Sequence, residues 1–219
     1  MTPPVPTLRL ERSLWAEGRI VIACDEVGRG ALAGPVAIGA TVMAPRSGRP
    51  RVPEGLRDSK LIPEPRRADV AARAGAWVDA SALGWSTSAE IDEVGIIRAL
   101  GRAAHRAIDV LRAQGVPIAD AIVILDGNHD YITPAGALEC AVRPVIKADR
   151  DCASAAAASV LAKVGRDALM VDLHDEAPVY AWHRNKGYAS AVHRAAIAEH
   201  GISAHHRSSW AISDAPALF

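Results

Sequence analysis

The sequence predicts an α/β domain built on one central mixed sheet flanked by helices. Three observations carry this. Short apolar runs at residues 19–24 and 121–125 read as buried strands. Apolar residues at Ile91, Val94, Ile97, Leu100, Ala104, Ile108 and Leu111 recur at steps of three and four, which gives a helix with one buried stripe. Strand patterns come first and then alternate with helical ones, an order that a single sheet accommodates. At 219 residues, and roughly 100–200 residues per domain, the chain allows one large domain or two small ones.

Taken in order, residues 1–6 hold three prolines and read as a loose tail, and residues 8–18 as a short helix. Residues 19–24 form the first strand, which runs into a glycine-punctuated turn over residues 25–30. Residues 36–43 give a second strand closed by Pro45, and residues 45–55, rich in proline and glycine, a loop. Pro63 and Pro65 sit where a helix start tolerates proline, so residues 66–78 continue as helix. Residues 80–87 suit a third strand. Ser88 can cap the next helix, with Glu90, Asp92 and Glu93 in its first turn. The helix carries the apolar stripe for about six turns to Gly115. Residues 121–125 are the clearest strand, ending at Asp126. Residues 140–147 read as a strand ending at Asp149, residues 151–173 as a helix with a smooth alanine face, and residues 188–200 as a helix stopped by Gly201.

Composition narrows the functions available. Half of the residues are hydrophobic and 23% are charged, which excludes global disorder. Basic and acidic residues balance at 25 each, so a protein that coats nucleic acid by bulk positive field is disfavoured, though a local basic track is not. Aromatic residues make up 4%, too few for a base-stacking sheet. Cys24, Cys140 and Cys152 are odd in number, far apart and without CxxC spacing, which argues against a disulfide framework and for a reducing compartment. No stretch is long and apolar enough for a bilayer, and no secretory signal is visible. A soluble cytoplasmic protein without a membrane partner is expected.

Two of the apolar strands end in acids, Asp25-Glu26 and Asp126, and Asp149 follows a third candidate. Charged residues at strand ends of α/β sheets tend to lie at the ligand-binding edge. Carboxylates converging there repel one another unless cations neutralise them, and hard divalent ions such as Mg²⁺ or Mn²⁺ prefer such oxygen sites. Two such ions about 4 Å apart make the clamp used in phosphoryl transfer. A rival reading takes Gly28-x-Gly30 as a dinucleotide-binding turn. Its third glycine falls at Gly34, giving GxGxxxG, and Asp25-Glu26 would set two negative charges beside a pyrophosphate.

The residues 25–36, DEVGRGALAGPV, closely resemble the DEAGRGxLAGPV signature of the ribonuclease HII family. Asp58-Ser59-Lys60 matches its DSK motif and Asp126-Gly127-Asn128 its DGN. Lys147-Ala148-Asp149 is similar to its KGD, and residues 155–164 to its AAASILAKV segment. Lys186-Gly187-Tyr188 matches its KGY, and residues 206–210 its HRxSF ending. The blocks keep the family's order over nearly the whole chain. Two departures are visible: Val27 stands for alanine and Ala148 for glycine.

The resemblance implies a ribonuclease H-like fold. It divides the chain into a tail and short helix (1–18), a catalytic domain (19–180) and a C-terminal substrate-binding extension (181–219). It implies a monomeric endonuclease, dependent on two divalent ions (Mn²⁺ or Mg²⁺), that cuts the RNA strand of RNA–DNA hybrids and single ribonucleotides embedded in duplex DNA. Asp25, Glu26, Asp126 and Asp149 would be the catalytic, metal-binding carboxylates, with Asp25 as the ligand shared by both ions. Gly28, Arg29, Gly30 and Tyr188 would sense the ribonucleotide 2′-OH, a group that is both donor and acceptor and distinguishes RNA from DNA. Lys60 is a candidate phosphate contact, and so, with less support, are Lys163, Arg184 and Lys186. Five histidines lie after residue 180; their spacing does not suit one metal, and they read as surface or phosphate-facing groups. No clear clamp-binding peptide stands out in residues 213–219.

Overall fold

A computed structural model describes residues 5–48 and 50–210. Residues 213–219, in which no clear clamp-binding peptide stands out, lie outside them. Five strands form one mixed sheet in the order β3-β2-β1-β4-β5: β1 (Ile20–Val27), β2 (Val36–Met43), β3 (Ala80–Ser86), β4 (Ala121–Asp126) and β5 (Ala141–Val145). β1 and β2 pair antiparallel, as do β2 and β3, whereas β4 and β5 run parallel to β1 and to each other. The helices are α1 (Arg9–Ala16), α2 (Glu64–Trp77), α3 (Ser88–Val94), α4 (Ile96–Ala113), α5 (Ala148–Asp151), α6 (Ala153–Glu176), α7 (Trp182–Asn185) and α8 (Ala191–His200).

Alternation along the strands splits the core in two. Ile22 and Cys24 of β1 face α4, whose Leu100, Ile108 and Leu111 complete one cluster. Val21 and Ala23 face the other way, onto α1, α2 and α6. The alanine-rich start of α6 is buried from Ala153 to Val160. That lets the helix lie against β2 so closely that a Cβ on Gly39 would sit 2.3 Å from the Ala158 carbonyl oxygen. A third, smaller cluster joins Ala33 and Met170 to Tyr180, Trp182 and Ala196 of the C-terminal segment.

Several boundaries differ from the sequence expectation, each for a local reason. β1 continues to Val27, so Asp25 and Glu26 are strand residues still paired with Gly39 and Ile38 of β2. The apolar stripe from Ile91 to Leu111 belongs to two helices. Gly95 adopts φ +79 and ends α3, yet the stripe runs on across the break. The cap of α3 is Thr87, in a reciprocal capping box with Glu90; Ser88 lies inside the helix. Tyr188 precedes α8, which Ser190 caps.

α1 is no loose appendage: Leu8, Leu14 and Trp15 are buried, and the Trp15 indole N–H donates to the Met43 carbonyl at 3.1 Å. Cys152 supplies no side-chain cap for α6. Glu11, fully buried on α1, does this from a distance: its Oε1 accepts from the Ser154 N–H at 2.9 Å and hydroxyl at 2.7 Å. Glu11 Oε2 has no hydrogen-bond partner, and burial raises the carboxyl's pKa. Glu11→Ala, which strips a buried cap, is expected to cost about 2 kcal/mol or more. Glu11→Gln, which keeps the acceptor, is expected to cost about half as much or less. Denaturant unfolding of the two variants checks this; equal losses would contradict it.

Candidate active site

The strand register assembles the acids. β1 and β4 run parallel with Cys24 beside Leu125, so Asp25 and Asp126 are the next residues along neighbouring strands. Both point to the α6 side of the sheet, the side of Ala23 and Ile124. Glu26, one residue on, starts from the opposite face. There Tyr131, itself buried, donates its hydroxyl to Glu26 Oε2 at 3.2 Å. Asp149 is not at a strand end, as its position after residues 140–147 suggested. β5 stops at Val145, Lys147 turns the chain at φ +60, and Asp149 sits buried in the single turn of α5. The Asp149 N–H donates to Asp126 Oδ1 at 3.1 Å, which ties the two together. Ala148, which stands for a glycine, is helical and fully buried. The positive φ falls on Lys147, so the alanine carries no backbone strain.

These carboxyl groups feel one another. Burial, then Glu26, Asp126 and Asp149, push the pKa of Asp25 well up, against a hydrogen bond from Ser159 that lowers it. Asp149 is raised to about 6 by burial, then by Asp126 and Asp58, with Lys60 opposing. The Lys60 ammonium is 3.7 Å from Asp149 Oδ2. Too many buried anions for the cations at hand is the condition that a divalent ion relieves. Among the described residues no three His, Cys, Asp or Glu side chains close on a single ion position. What the site does offer is clustered carboxylate oxygens, the donor type that hard divalent ions prefer. The donor set therefore fits hard divalent ions.

Beside the acids lies an open cleft of about 530 Å³, lined by Asp25, Glu26, Gly28, Arg29, Gly30, Lys60, Lys163 and Tyr188, among others. Gly28 takes φ +84, and a Cβ there would fall 2.0 Å from Arg166 Nε. The turn leads into β2, not into a helix. It therefore offers no helix N-terminus for a pyrophosphate, and the dinucleotide-binding reading fails on this geometry.

The family model for ribonuclease HII matches residues 22–213. The chain belongs to the ribonuclease HII family. It is 47% identical over 215 residues to a ribonuclease HII of Streptomyces griseus, covering 96% of this chain and 86% of that protein. It is 42% identical over 206 residues to one of Nitrosomonas europaea, covering 92% and 87%. Among solved structures it resembles a PCNA:RNase HII complex from Archaeoglobus fulgidus, with TM-score 0.69 and 22% identity, over 87% of this chain and 95% of that one. It also resembles Bst-RNase HIII in complex with Mn²⁺, with TM-score 0.71 and 18% identity, over 90% and 68%. The ribonuclease H-like fold and a metal-dependent ribonuclease activity follow from this membership. No helix among the described residues is long and apolar enough to cross a membrane.

Within this ribonuclease HII fold the candidate substrate residues separate. Gly28, Arg29, Gly30, Lys60 and Tyr188 come together at the cleft. Lys163 joins them, its ammonium 2.7 Å from Asp167 and 5.8 Å from the centre of the Tyr188 ring. Lys186 does not: it is buried, with its ammonium on the His183 carbonyl and near Glu64. Arg184 is exposed and outside the cleft lining.

Two of the late histidines are core residues, contrary to the sequence reading. His193 and His206 are buried and meet Nε2 to Nε2 at 3.1 Å. Their partners fix the tautomers. The Ser203 N–H occupies His206 Nδ1, so His206 donates from Nε2; His193 Nε2 accepts this proton and that of Trp182, while its Nδ1–H donates to the Tyr188 carbonyl. Burial lowers both pKa values, that of His206 to about 4. Below pH 6.5 the unfolded chain takes up protons that the folded pair refuses. The contribution of His206 is thus expected to fall by about 2–3 kcal/mol between pH 6.5 and pH 4, with His193 acting in the same direction. Urea unfolding across this range measures it, with His206→Gln as the control that flattens the slope.

Sequence reasoning misses Tyr131 and Arg166, and takes Ser159 and Arg207 only as parts of motifs. Tyr131 and Arg166 lie outside any recognisable pattern, and only the fold brings them to the site.

Proposed function

We propose that this chain cuts the RNA strand of RNA–DNA hybrids and nicks duplex DNA on the 5′ side of a single embedded ribonucleotide, using two divalent ions, Mn²⁺ or Mg²⁺. The observation that carries this reading is the convergence of two dissimilar groups on one cleft. Clustered anions suited to cations adjoin a glycine turn and a tyrosine suited to a sugar hydroxyl.

In this reading Asp25, Glu26, Asp126 and Asp149 would hold the ions, with Asp25 as the ligand common to both. What bound divalent ions supply is a water of lowered pKa and charge neutralisation at the leaving oxygen. Tyr131 keeps the Glu26 carboxylate oriented through its hydroxyl. The Gly28–Gly30 turn and Tyr188 hold the ribonucleotide, and Lys60 and Lys163 face the phosphates along the cleft. The water oxygen bonds to phosphorus, the bond from phosphorus to the upstream 3′ oxygen breaks, and that oxygen leaves with a proton. A 3′-hydroxyl and a 5′-phosphate result.

The charge balance supports this arrangement. With a formal net charge of zero, attraction to phosphates must be local, and Lys60 and Lys163 line the cleft alongside Asp25 and Glu26. The segment from residue 181, whose Trp182 and Ala196 pack with Tyr180 against Met170, serves as the substrate-binding extension, and the protein acts as a monomer. One gel tests the activity: a duplex with one ribonucleotide, a full hybrid and an all-deoxy control, each with Mn²⁺ or with chelator. Mn²⁺-dependent cutting of the first two alone is expected. Cutting in chelator, or of the all-deoxy duplex, would refute the reading.

A further inference from the structure

Arg166 and Arg207 are fully buried, and among the described residues neither forms an ion pair. A buried cation without a carboxylate is costly and calls for a reason. Their partners supply one. Arg166 donates to the carbonyls of Ala33 (3.1 Å), Pro35 (2.8 Å) and Lys186 (2.9 Å). Arg207 donates to those of Gly28 (2.6 Å), Arg29 (2.8 Å) and Gly34 (3.1 Å). Five of these six carbonyls belong to the turn between β1 and β2.

Peptide planarity converts this into a statement about the other side of the turn. In a trans peptide the carbonyl of one residue and the N–H of the next point in opposite directions. Drawing the Ala33 carbonyl to Arg166 should turn the Gly34 N–H away, and it does: that N–H donates to the His205 carbonyl at 2.8 Å. By the same geometry, Arg207 on the Gly28 and Arg29 carbonyls turns the N–H groups of Arg29 and Gly30 away from itself. Both residues are exposed and line the cleft. The packing is tight enough to hold this orientation, since Gly28 leaves no room for a Cβ against Arg166. Arg166 also flanks the other candidate reader, its Cζ lying 5.5 Å from the centre of the Tyr188 ring.

We infer that Arg166 and Arg207 are positioning residues for specificity: they hold the turn's carbonyls inward so that the Arg29 and Gly30 N–H groups face the substrate 2′ oxygen as fixed donors. The inference rests on the proposed reading of the 2′-OH by this turn. A lysine keeps the charge but has no planar fork to span several carbonyls.

The test compares kcat/KM for two duplexes, one with a single ribonucleotide and one with a 2′-fluoro-2′-deoxynucleotide at the same position. Fluorine accepts hydrogen bonds poorly and donates none. Wild type is expected to prefer the ribonucleotide strongly. Arg207→Lys is expected to shrink that preference at least about tenfold through loss on the ribonucleotide substrate. Its Mn²⁺-induced rise in melting temperature should stay as in wild type. A merely structural defect would lower both substrates alike, and an unchanged ratio overturns the inference. If Arg207→Lys does not fold, Arg166→Lys decides the matter on the same ratio. A wild-type ratio near one would overturn the reading of the 2′-OH, and this inference with it.

Discussion

Asp25→Asn is expected to abolish cleavage, by about a thousandfold or more, in a protein that remains folded. Asp25 is buried at the centre of the acids, with Glu26, Asp126 and Asp149 all raising its pKa. Asparagine keeps the shape and removes one of the charges that a divalent ion would balance. The same repulsion predicts the effect on stability. A carboxyl whose folded pKa is raised contributes stability at low pH that is lost as pH rises through the folded value. For Asp149 that window runs from the unbound value of 3.8 to about 6. In chelator at pH 7 the wild type is therefore strained by its own acids. Asp25→Asn should melt at the same or a higher temperature than wild type, and should gain less from added Mn²⁺. The buried histidine pair acts in the opposite sense over the same pH range, and the two variants separate the contributions. Near-wild-type cleavage by Asp25→Asn would remove Asp25 from the site.

Tyr188→Ala is expected to lower kcat/KM at a single embedded ribonucleotide by about tenfold to a hundredfold, the range for losing one well-placed sugar contact and its stacking surface. The ring is half-buried, lines the cleft, and lies near the ammonium of Lys163 and the guanidinium of Arg166, both from α6. Its backbone is fixed independently, because the Tyr188 carbonyl accepts from the Ser190 N–H and from His193 Nδ1. Removing the side chain should thus leave the loop in place and delete only what faces the substrate. Tyr188→Phe divides the loss between hydroxyl and ring. Normal cutting of that duplex by Tyr188→Ala would make the tyrosine a structural residue.

The strands and most helices were legible in the sequence because burial writes itself as apolar runs and stripes. The failures were local. The stripe from Ile91 to Leu111 hid the break at Gly95, since two helices on one face share one pattern. Acids followed by glycine look like a loop, so residues 25–30 suggest a turn, although Asp25 and Glu26 lie within β1, paired with β2. Asp149 could be named from its motif but not located, because the turn that buries it depends on Lys147 at a left-handed φ. The late histidines looked like surface groups. Nothing local shows that His193 and His206 satisfy each other in a core formed by distant segments. Arg166 and Arg207 were invisible in kind: their partners are carbonyls, and carbonyls carry no sequence signal.

In the proposed reaction the 2′-OH is read by the protein and takes no part in the bond chemistry. The direct measurement is mass spectrometry of the ends left in a duplex with one ribonucleotide after cutting with Mn²⁺. The nick is expected on the 5′ side of the ribonucleotide, leaving a 3′-hydroxyl on the upstream DNA and a 5′-phosphate on the ribonucleotide. The hydroxyl at C2′ has no adjacent phosphate on that side to attack. A 2′,3′-cyclic phosphate on the ribonucleotide, after a cut on its 3′ side, would show the 2′-OH acting as nucleophile and would contradict the assignment of the cleft.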